Sequence, residues 1–262
     1  MPSVLTGANL ANRDLIYRGV SGDGDSASIG LGQFAHSIRR AVNMTYIVEN
    51  NGVYGLTKGQ FSATSDKGSK NKRGVANTDE PIDLVGMALQ LGVTYVARSF
   101  SGDKAQLVPL IKGALLHQGA AFIDCISPCV AFNNHLGSTK SFDYVREHNE
   151  AVNRLDVIPE RGEITADYAP GTVEIVEQHD GTILRLRKTA ADYDANDRIA
   201  AMTHLQERHA AGEIVTGLLY IDPEPADMHA YLGTVATPFN TLGEAELCPG
   251  NEALERFNAA LR

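Results

Sequence analysis

The sequence has no tryptophan, only three cysteines and no long hydrophobic run in its 262 residues. Three cysteines are too few, and odd in number, for a disulfide framework. No apolar run approaches the ~20 residues that a transmembrane helix needs. The first residues also lack the basic segment and following apolar segment of a secretion signal. These absences predict a cytoplasmic protein that makes no contact with a membrane.

Positive charge is also scarce. Lysine and arginine number 23 against 32 aspartates and glutamates, which leaves a net charge of −9 and a pI near 5.3. General binders of nucleic acid or anionic membranes need a positive surface, so both classes are excluded. The apolar fraction of 43% is typical of globular proteins, and the chain is long enough to bury a full core.

Short apolar runs alternate with helical patterns through the first half of the chain. The patterns predict strands over 15–20, 44–50, 94–99 and 121–127, and helices over 29–41, 81–92 and 103–119. Strands that alternate with helices of this length indicate βαβ units. The predicted fold class is therefore α/β, with a mostly parallel sheet flanked by helices.

The second half of the chain has a different pattern. It predicts a hairpin over 172–188 around Asp180-Gly181, a helix over 196–212, a strand over 213–222 and a short helix over 252–261. Proline and glycine punctuate the chain after residue 222. The α/β fold is therefore expected to carry a C-terminal hairpin/helix extension. We predict one domain over residues 1–222 and a C-terminal extension over residues 223–262.

The stretch SGDGDSASIG, residues 21–30, lies between a predicted strand and a predicted helix. Gly22, Gly24 and Ala27 satisfy the G-x-G-x-x-A pattern of dinucleotide-binding folds, and Glu49 ends the next strand. One interpretation is therefore a Rossmann NAD(P)-dependent oxidoreductase.

The acidic residues of this stretch favour a different site. A Rossmann pyrophosphate rests directly on backbone N–H groups, and Asp23 with Asp25 would repel it in a low-dielectric turn. A carboxylate fits there if a divalent cation lies between it and the phosphates. Magnesium binds carboxylate, amide and carbonyl oxygens together with substrate phosphates. Asn50 or Asn51, at the end of the neighbouring predicted strand, supplies an amide oxygen at the same edge of the sheet.

These residues form a family pattern. GDG, followed by 25 intervening residues and then Asn50-Asn51, resembles the thiamine diphosphate motif. The longer stretch GDGDSASIGLGQFAHSIRRAVNMTYIVENNGVYGLTKGQFSATS closely resembles the β subunit of 2-oxoacid:ferredoxin oxidoreductases. The resemblance continues through AFIDCISPCVAFN and GEIVTGLLYID to LCPG, and is weak only around 140–210. It implies a thiamine diphosphate-binding fold.

The resemblance also implies site residues. Asp23, the Asn51 side chain and the Val53 carbonyl would bind Mg²⁺, and Gly24 and Asp25 would line the diphosphate.

The loop that follows would lie at the reactive end of the cofactor. Gly55 and Leu56 would lie near the thiazolium, with Leu56 and Lys58 on the substrate side. Thiamine diphosphate carries the chemistry in such enzymes, so no general acid or base is predicted in this chain.

The implied activity is oxidative decarboxylation of a 2-oxoacid, such as 2-oxoglutarate, with transfer of the acyl group to coenzyme A. Electrons would pass through an iron–sulfur cluster to ferredoxin. The implied partner is an α subunit, which would form a heterodimer with this chain and supply the glutamate that activates the cofactor. A cofactor-binding subunit without catalytic activity is a further alternative.

The chain departs from the family at its N-terminus. Family members carry a Cys-x-x-Cys-Gly pair, a further cysteine and a His-Gly-Arg stretch before the thiamine motif, so we expect this chain to be N-terminally truncated.

Cys129 matches the fourth ligand of the [4Fe–4S] cluster, but such a cluster usually takes four thiolates. Judged without the resemblance, Cys125 and Cys129 are typical of buried thiols at a strand end, and Cys248 is predicted to be structural.

Overall fold

The structure is a computed structural model that describes residues 1–71, 73–153, 155, 173–177, 183–187, 193–248 and 250–261. Within these residues, every helix is too short or too polar to cross a membrane.

The described strands form one large sheet and two small ones. They are β1 (Arg18–Gly22), β2 (Met44–Asn50), β3 (Val53–Tyr54), β4 (Gln60–Phe61), β5 (Tyr95–Phe100), β6 (Ala120–Ile126), β7 (Asn149–Ala151), β8 (Val173–Glu177), β9 (Ile183–Arg187) and β10 (Ile214–Ile221). The large sheet has the order β1-β2-β6-β5-β10-β7. Its first four strands are mutually parallel, and β10 runs antiparallel to β5. The predicted mostly parallel sheet is therefore confirmed.

The described helices surround this sheet. They are α1 (Pro2–Ala11), α2 (Leu31–Arg39), α3 (Leu84–Gln90), α4 (Lys104–Leu116), α5 (Phe142–His148), α6 (Arg198–Ala210), α7 (Met228–Leu232), α8 (Glu244–Leu247) and α9 (Gly250–Ala260). Capping side chains accept a backbone N–H at the start of five of them: Asp83, Asp103, Ser141, Asp197 and Asp227. Such caps satisfy N–H groups that have no partner inside the helix and so set where it begins.

Both faces of the large sheet are covered. Alternate residues of β2 point to opposite sides, so Tyr46 packs in one cluster and Ile47 in the other. The first cluster contains side chains of α1, α2, α3 and α6. The second contains Leu110 and Ala114 of α4. Burial on both faces explains the nearly continuous apolar sequence of β2 and β6.

The predictions differ from the structure mainly at element ends. The first strand was predicted over 15–20, but β1 begins at Arg18, where pairing with β2 starts, and leaves Leu15 and Ile16 exposed. The predicted hairpin is confirmed by the antiparallel pair β8–β9, while its turn lies outside the described residues. The domain boundary after residue 222 stays a prediction.

Candidate active site

The site lies where two parallel strands end side by side. β1 ends at Gly22, which is paired with Glu49 near the end of β2. Asp23 and Asn51 follow these strands directly, and the Asn51 N–H donates to Asp23 Oδ1 at 3.3 Å. Asp23 is 1% exposed. The structure thus brings together two of the residues expected to bind magnesium, although 28 positions separate them in the sequence.

Two hydroxyl groups hold the other oxygen of the same carboxylate. Ser62 Oγ donates a short hydrogen bond to Asp23 Oδ2, and Thr64 Oγ1 lies 2.5 Å from that oxygen. Both side chains are buried. Sequence reasoning missed them because they lie in a polar loop 39 and 41 residues after Asp23, and only the tertiary structure closes that distance.

A chain of polar side chains continues from Thr64 into the sheet. Asn50 Oδ1 lies 2.9 Å from Thr64 Oγ1, and the Asn50 amide group donates to Asp124 at 3.1 Å. Arg98 then donates to Asp124 at 2.8 Å and to Asp83 at 2.7 Å. Burial acts to raise the pKa of Asp83, but the Arg98 charge and the hydrogen bonds from Arg98 and the backbone together hold that pKa below its usual value. These residues also line one wall of a cavity of about 720 Å³.

The turn after β1 is shaped by an aromatic ring. A Cβ atom at Gly24 would lie 2.4 Å from the ring of Tyr54, and the Tyr54 hydroxyl donates to the Gly24 carbonyl at 3.0 Å. Glycine is therefore required here by ring packing. A π-helical segment, Gly24–Ile29, starts at this point and leads to α2, and the Asp25 side chain is exposed.

The loop between β3 and β4 carries the residues expected at the reactive end of the cofactor. Leu56 is 98% exposed, and Lys58 is exposed with a left-handed φ of 78°. Gly55 is half-buried, and a Cβ atom there would lie 3.7 Å from Cys129 Sγ. The SPC segment and this loop are therefore neighbours.

Residues 127–141 form hydrogen bonds with the loops that contain Asn51 and Asp66. The Asn133 side chain donates to the Asn51 carbonyl at 2.8 Å. Lys140 Nζ and Thr139 Oγ1 both donate to the Asp66 carboxylate, at 3.0 and 2.7 Å. Burial acts to raise the Asp66 pKa, but the Lys140 charge and these hydrogen bonds together lower it. The segment thereby fixes the position of the loop that holds Asn51.

The oxygen atoms at this site suit magnesium. Of the expected ligands, Asp23 would offer a carboxylate, Asn51 an amide oxygen and Val53 a main-chain carbonyl, all of them hard ligands. Asn51 Oδ1 accepts the Val53 N–H at 3.0 Å, which holds that amide oxygen beside Val53. In the part of the chain that the structure describes, no three His, Cys, Asp or Glu side chains gather into a metal cluster. The expected magnesium ligands include only one carboxylate, with an amide and a main-chain oxygen, so they do not form a cluster of that kind.

The three cysteines are free thiols in three environments. Cys125 is buried on β6, Cys129 is half-buried and Cys248 is exposed. Burial, aided by the Asp124 and Glu49 carboxylates, raises the pKa of Cys125 to about 12. Cys125 is thus an inert core thiol, and Cys129 is the thiol beside the predicted cofactor loop.

Comparison with known proteins gives a consistent match. Residues 1–125 match a family model described as the C-terminal TPP-binding domain of thiamine pyrophosphate enzymes. A β subunit of 2-oxoacid:ferredoxin oxidoreductase from a Sulfolobus species is 38% identical over 59% of this chain and 49% of its own length. The 2-oxoglutarate oxidoreductase subunit KorB of Mycobacterium tuberculosis is 35% identical over 72% of this chain and 48% of its own. The chain spans about half the length of these curated relatives.

A solved structure agrees over most of the fold. It is a 2-oxoglutarate:ferredoxin oxidoreductase from Magnetococcus marinus with 2-oxoglutarate, coenzyme A and succinyl-CoA bound. It superposes with a TM-score of 0.65 at 30% identity, over 94% of this chain and 70% of that chain.

The fold and the site define a class, the thiamine pyrophosphate-binding α/β domains. Within that class, the chain belongs to the 2-oxoacid:ferredoxin oxidoreductase β-subunit family. The resemblance found in the sequence is confirmed, and the comparisons favour it over the Rossmann NAD(P) interpretation.

Proposed function

We propose that this chain is the thiamine diphosphate-binding subunit of an enzyme that oxidatively decarboxylates a 2-oxoacid. The acyl group would be transferred to coenzyme A, and the electrons would pass to ferredoxin. The observation that carries the proposal is the meeting of Asp23 and Asn51 at adjacent strand ends, inside the residues that match the family model.

In this proposal the strand ends bind the cofactor's diphosphate through magnesium. Asp23, the Asn51 side chain and the Val53 carbonyl hold the ion, and Gly24 and Asp25 line the diphosphate. The backbone N–H groups that follow Asp23 supply further donors for an anion. A cation is needed for an electrostatic reason, because Asp23 repels a bare diphosphate and attracts one bridged by magnesium.

When bound, thiamine diphosphate supplies the carbanion chemistry by which a 2-oxoacid loses carbon dioxide. The protein's part is binding and orientation. Gly55 and Leu56 would lie near the thiazolium, with Leu56 and Lys58 on the substrate side. The high exposure of Leu56 suits a residue covered by a partner subunit.

The partner we propose is an α subunit that completes the site at the interface, and the substrate class includes 2-oxoglutarate. This class agrees with the names of the relatives and with the ligands bound in the Magnetococcus marinus enzyme. Cys129 would serve as a [4Fe–4S] ligand in a full-length protein that carries the cysteines found before the thiamine motif in the family, within a cytoplasmic complex. Its position beside Gly55 supports that role.

Calorimetry tests cofactor binding directly. We expect the chain to bind thiamine diphosphate with Mg²⁺ and to lose this binding in EDTA. Asp23→Asn should weaken it by more than ~100-fold, because even outer partners of metal ligands are worth about 10- to 100-fold. Asp14→Asn, which neutralises an exposed carboxylate before β1, is the matched control and should bind normally. Binding that survives EDTA unchanged would reject the magnesium site and favour the NAD(P) alternative.

The activity needs a separate assay. Co-purified with its α subunit, the chain should support reduction of ferredoxin or a viologen that depends on a 2-oxoacid and coenzyme A. Magnesium-dependent cofactor binding without electron transfer would instead identify a non-catalytic subunit.

A further inference from the structure

We infer that Ser62 and Thr64 are positioning residues for the proposed magnesium ligand Asp23. This inference rests on the proposed function and adds two hydroxyl groups to its site. The thiamine motif consists of the stretches around Asp23 and Asn51, and neither hydroxyl belongs to those stretches.

The two oxygens of Asp23 have different surroundings. Oδ1 lies on the side of Asn51 and accepts its N–H at 3.3 Å. Oδ2 instead accepts from the Ser62 hydroxyl and, at 2.5 Å, from the Thr64 hydroxyl. The hydroxyls therefore occupy Oδ2 and turn Oδ1 toward Asn51, which is the side where the metal would bind.

Burial makes this arrangement necessary. A carboxylate that is 1% exposed has no bulk water to satisfy it, and an unpaired buried charge is costly. Hydrogen bonds from hydroxyl donors to a carboxylate are charge-assisted and short, so they hold one orientation strongly. Without them, Asp23 would be free to rotate its carboxyl plane, and this rotation would weaken a metal ligand.

Thr64 has a second contact that Ser62 lacks. Its Oγ1 lies 2.9 Å from Asn50 Oδ1, at the end of β2, and its single proton can serve Asp23 or Asn50 but not both at once. The carboxylate is the stronger acceptor, so we assign the proton to Asp23. Thr64 therefore bonds to the turn after β1 and only contacts Asn50 at the end of β2, whose own amide donates to Asp124 at 3.1 Å.

A purely structural role predicts a different outcome from a positioning role. If the hydroxyls only satisfied polar atoms in the interior, their loss would lower stability and leave magnesium affinity unchanged. If they orient Asp23, their loss lowers magnesium affinity beyond any change in stability. Metal affinity and unfolding must therefore be measured on the same variants.

The experiment uses five chains: the wild type, Thr64→Val, Thr64→Ser, Ser62→Ala and Thr45→Val. Thr64→Val keeps the side-chain shape and removes the hydroxyl, while Thr64→Ser keeps the hydroxyl. Thr45 is the matched control, since it is equally buried on β2 and its hydroxyl donates to the Ala114 carbonyl at 2.9 Å, away from Asp23. Mg²⁺ is titrated calorimetrically into each chain with thiamine diphosphate in excess, and thermal unfolding is recorded without ligand.

We expect Thr64→Val to raise the Mg²⁺ concentration for half-saturation by about 10- to 100-fold, and Ser62→Ala by about tenfold, as for outer partners of metal ligands. Thr64→Ser should recover most of the affinity. Thr45→Val should melt earlier than the wild type and bind Mg²⁺ normally. Thr64→Val binding like the wild type, or Thr64→Ser failing as badly as Thr64→Val, would overturn the inference.

Failure of the proposed function gives a different result. If the wild type shows no magnesium-dependent binding of thiamine diphosphate, the proposed function is rejected, and this inference with it. If the wild type binds and the hydroxyl variants bind equally well, only this inference is rejected. Should Thr64→Val not fold, Ser62→Ala and Thr64→Ser decide the question, because each makes a smaller change.

Discussion

Replacing Arg98 by methionine should destabilise the sheet strongly, because its guanidinium lies between two carboxylates. It donates to Asp124 at 2.8 Å and to Asp83 at 2.7 Å. The Asp124 side chain is 1% exposed and that of Arg98 15%, whereas that of Asp83 is 50% exposed. The substitution leaves Asp124 buried with Asn50 as its remaining donor, at 3.1 Å.

The two contacts contribute unequally to the expected loss. An ion pair with a half-exposed partner is worth about 0–1 kcal/mol, so the contact with Asp83 contributes little. Removing one partner of a buried pair costs about 3–5 kcal/mol, because the remaining charge is left without compensation. We therefore expect Arg98→Met to lower the free energy of unfolding by about 3–5 kcal/mol. At about 2–4 °C per kcal/mol, this corresponds to a Tm lowered by roughly 6–20 °C.

Urea unfolding of three variants and the wild type separates this loss from lost packing. Arg98→Met combined with Asp124→Asn removes both charges and should recover much of the stability. Arg208→Met is the control for a surface pair, since Arg208 and Glu213 are 36% and 38% exposed, and should cost under about 1 kcal/mol. A loss under about 1 kcal/mol for Arg98→Met, or no recovery in the double variant, would refute the reasoning.

Unfolding at low pH tests the contact between Arg98 and Asp83. Arg98 lowers the pKa of Asp83, so the stabilisation is present above the unfolded-state pKa, near 3.9, and is lost as the pH falls through the lower folded-state value. The difference in stability between the wild type and Arg98→Met should therefore shrink below about pH 4. A difference that stays constant down to pH 2 would contradict this assignment.

Two further predictions concern packing and thiol chemistry. Gly24→Ala should cost about 1–3 kcal/mol in urea unfolding, because the new methyl group would overlap the Tyr54 ring, and a cost under about 0.5 kcal/mol would contradict that contact. With a disulfide reagent at pH 8, exposed Cys248 should react within the mixing time. Cys125 should react only on unfolding, because it is buried and its pKa is raised to about 12. Rapid modification of Cys125 in the native chain would contradict this prediction and show that the end of β6 opens.

Much of the fold was predictable from local patterns. The apolar runs of β2 and β6 are buried on both faces, as central parallel strands require, so composition alone indicated them. The ends of β1 were less predictable, because the apolar pair Leu15 and Ile16 precedes the residues that pair with β2. Strand ends depend on pairing partners, and a local pattern carries no information about partners.

For the site, the sequence by itself determined that Asp23 and Asn51 lie close together. Parallel strands end at the same edge of a sheet, and the residues that follow neighbouring strands meet there. The hydroxyls of Ser62 and Thr64, the Asn133 contact to the Asn51 carbonyl and the ring of Tyr54 against Gly24 were decided by the tertiary structure. Those contacts join loops that no secondary-structure rule brings together. Their geometry follows from how the loops pack against the edge of the sheet.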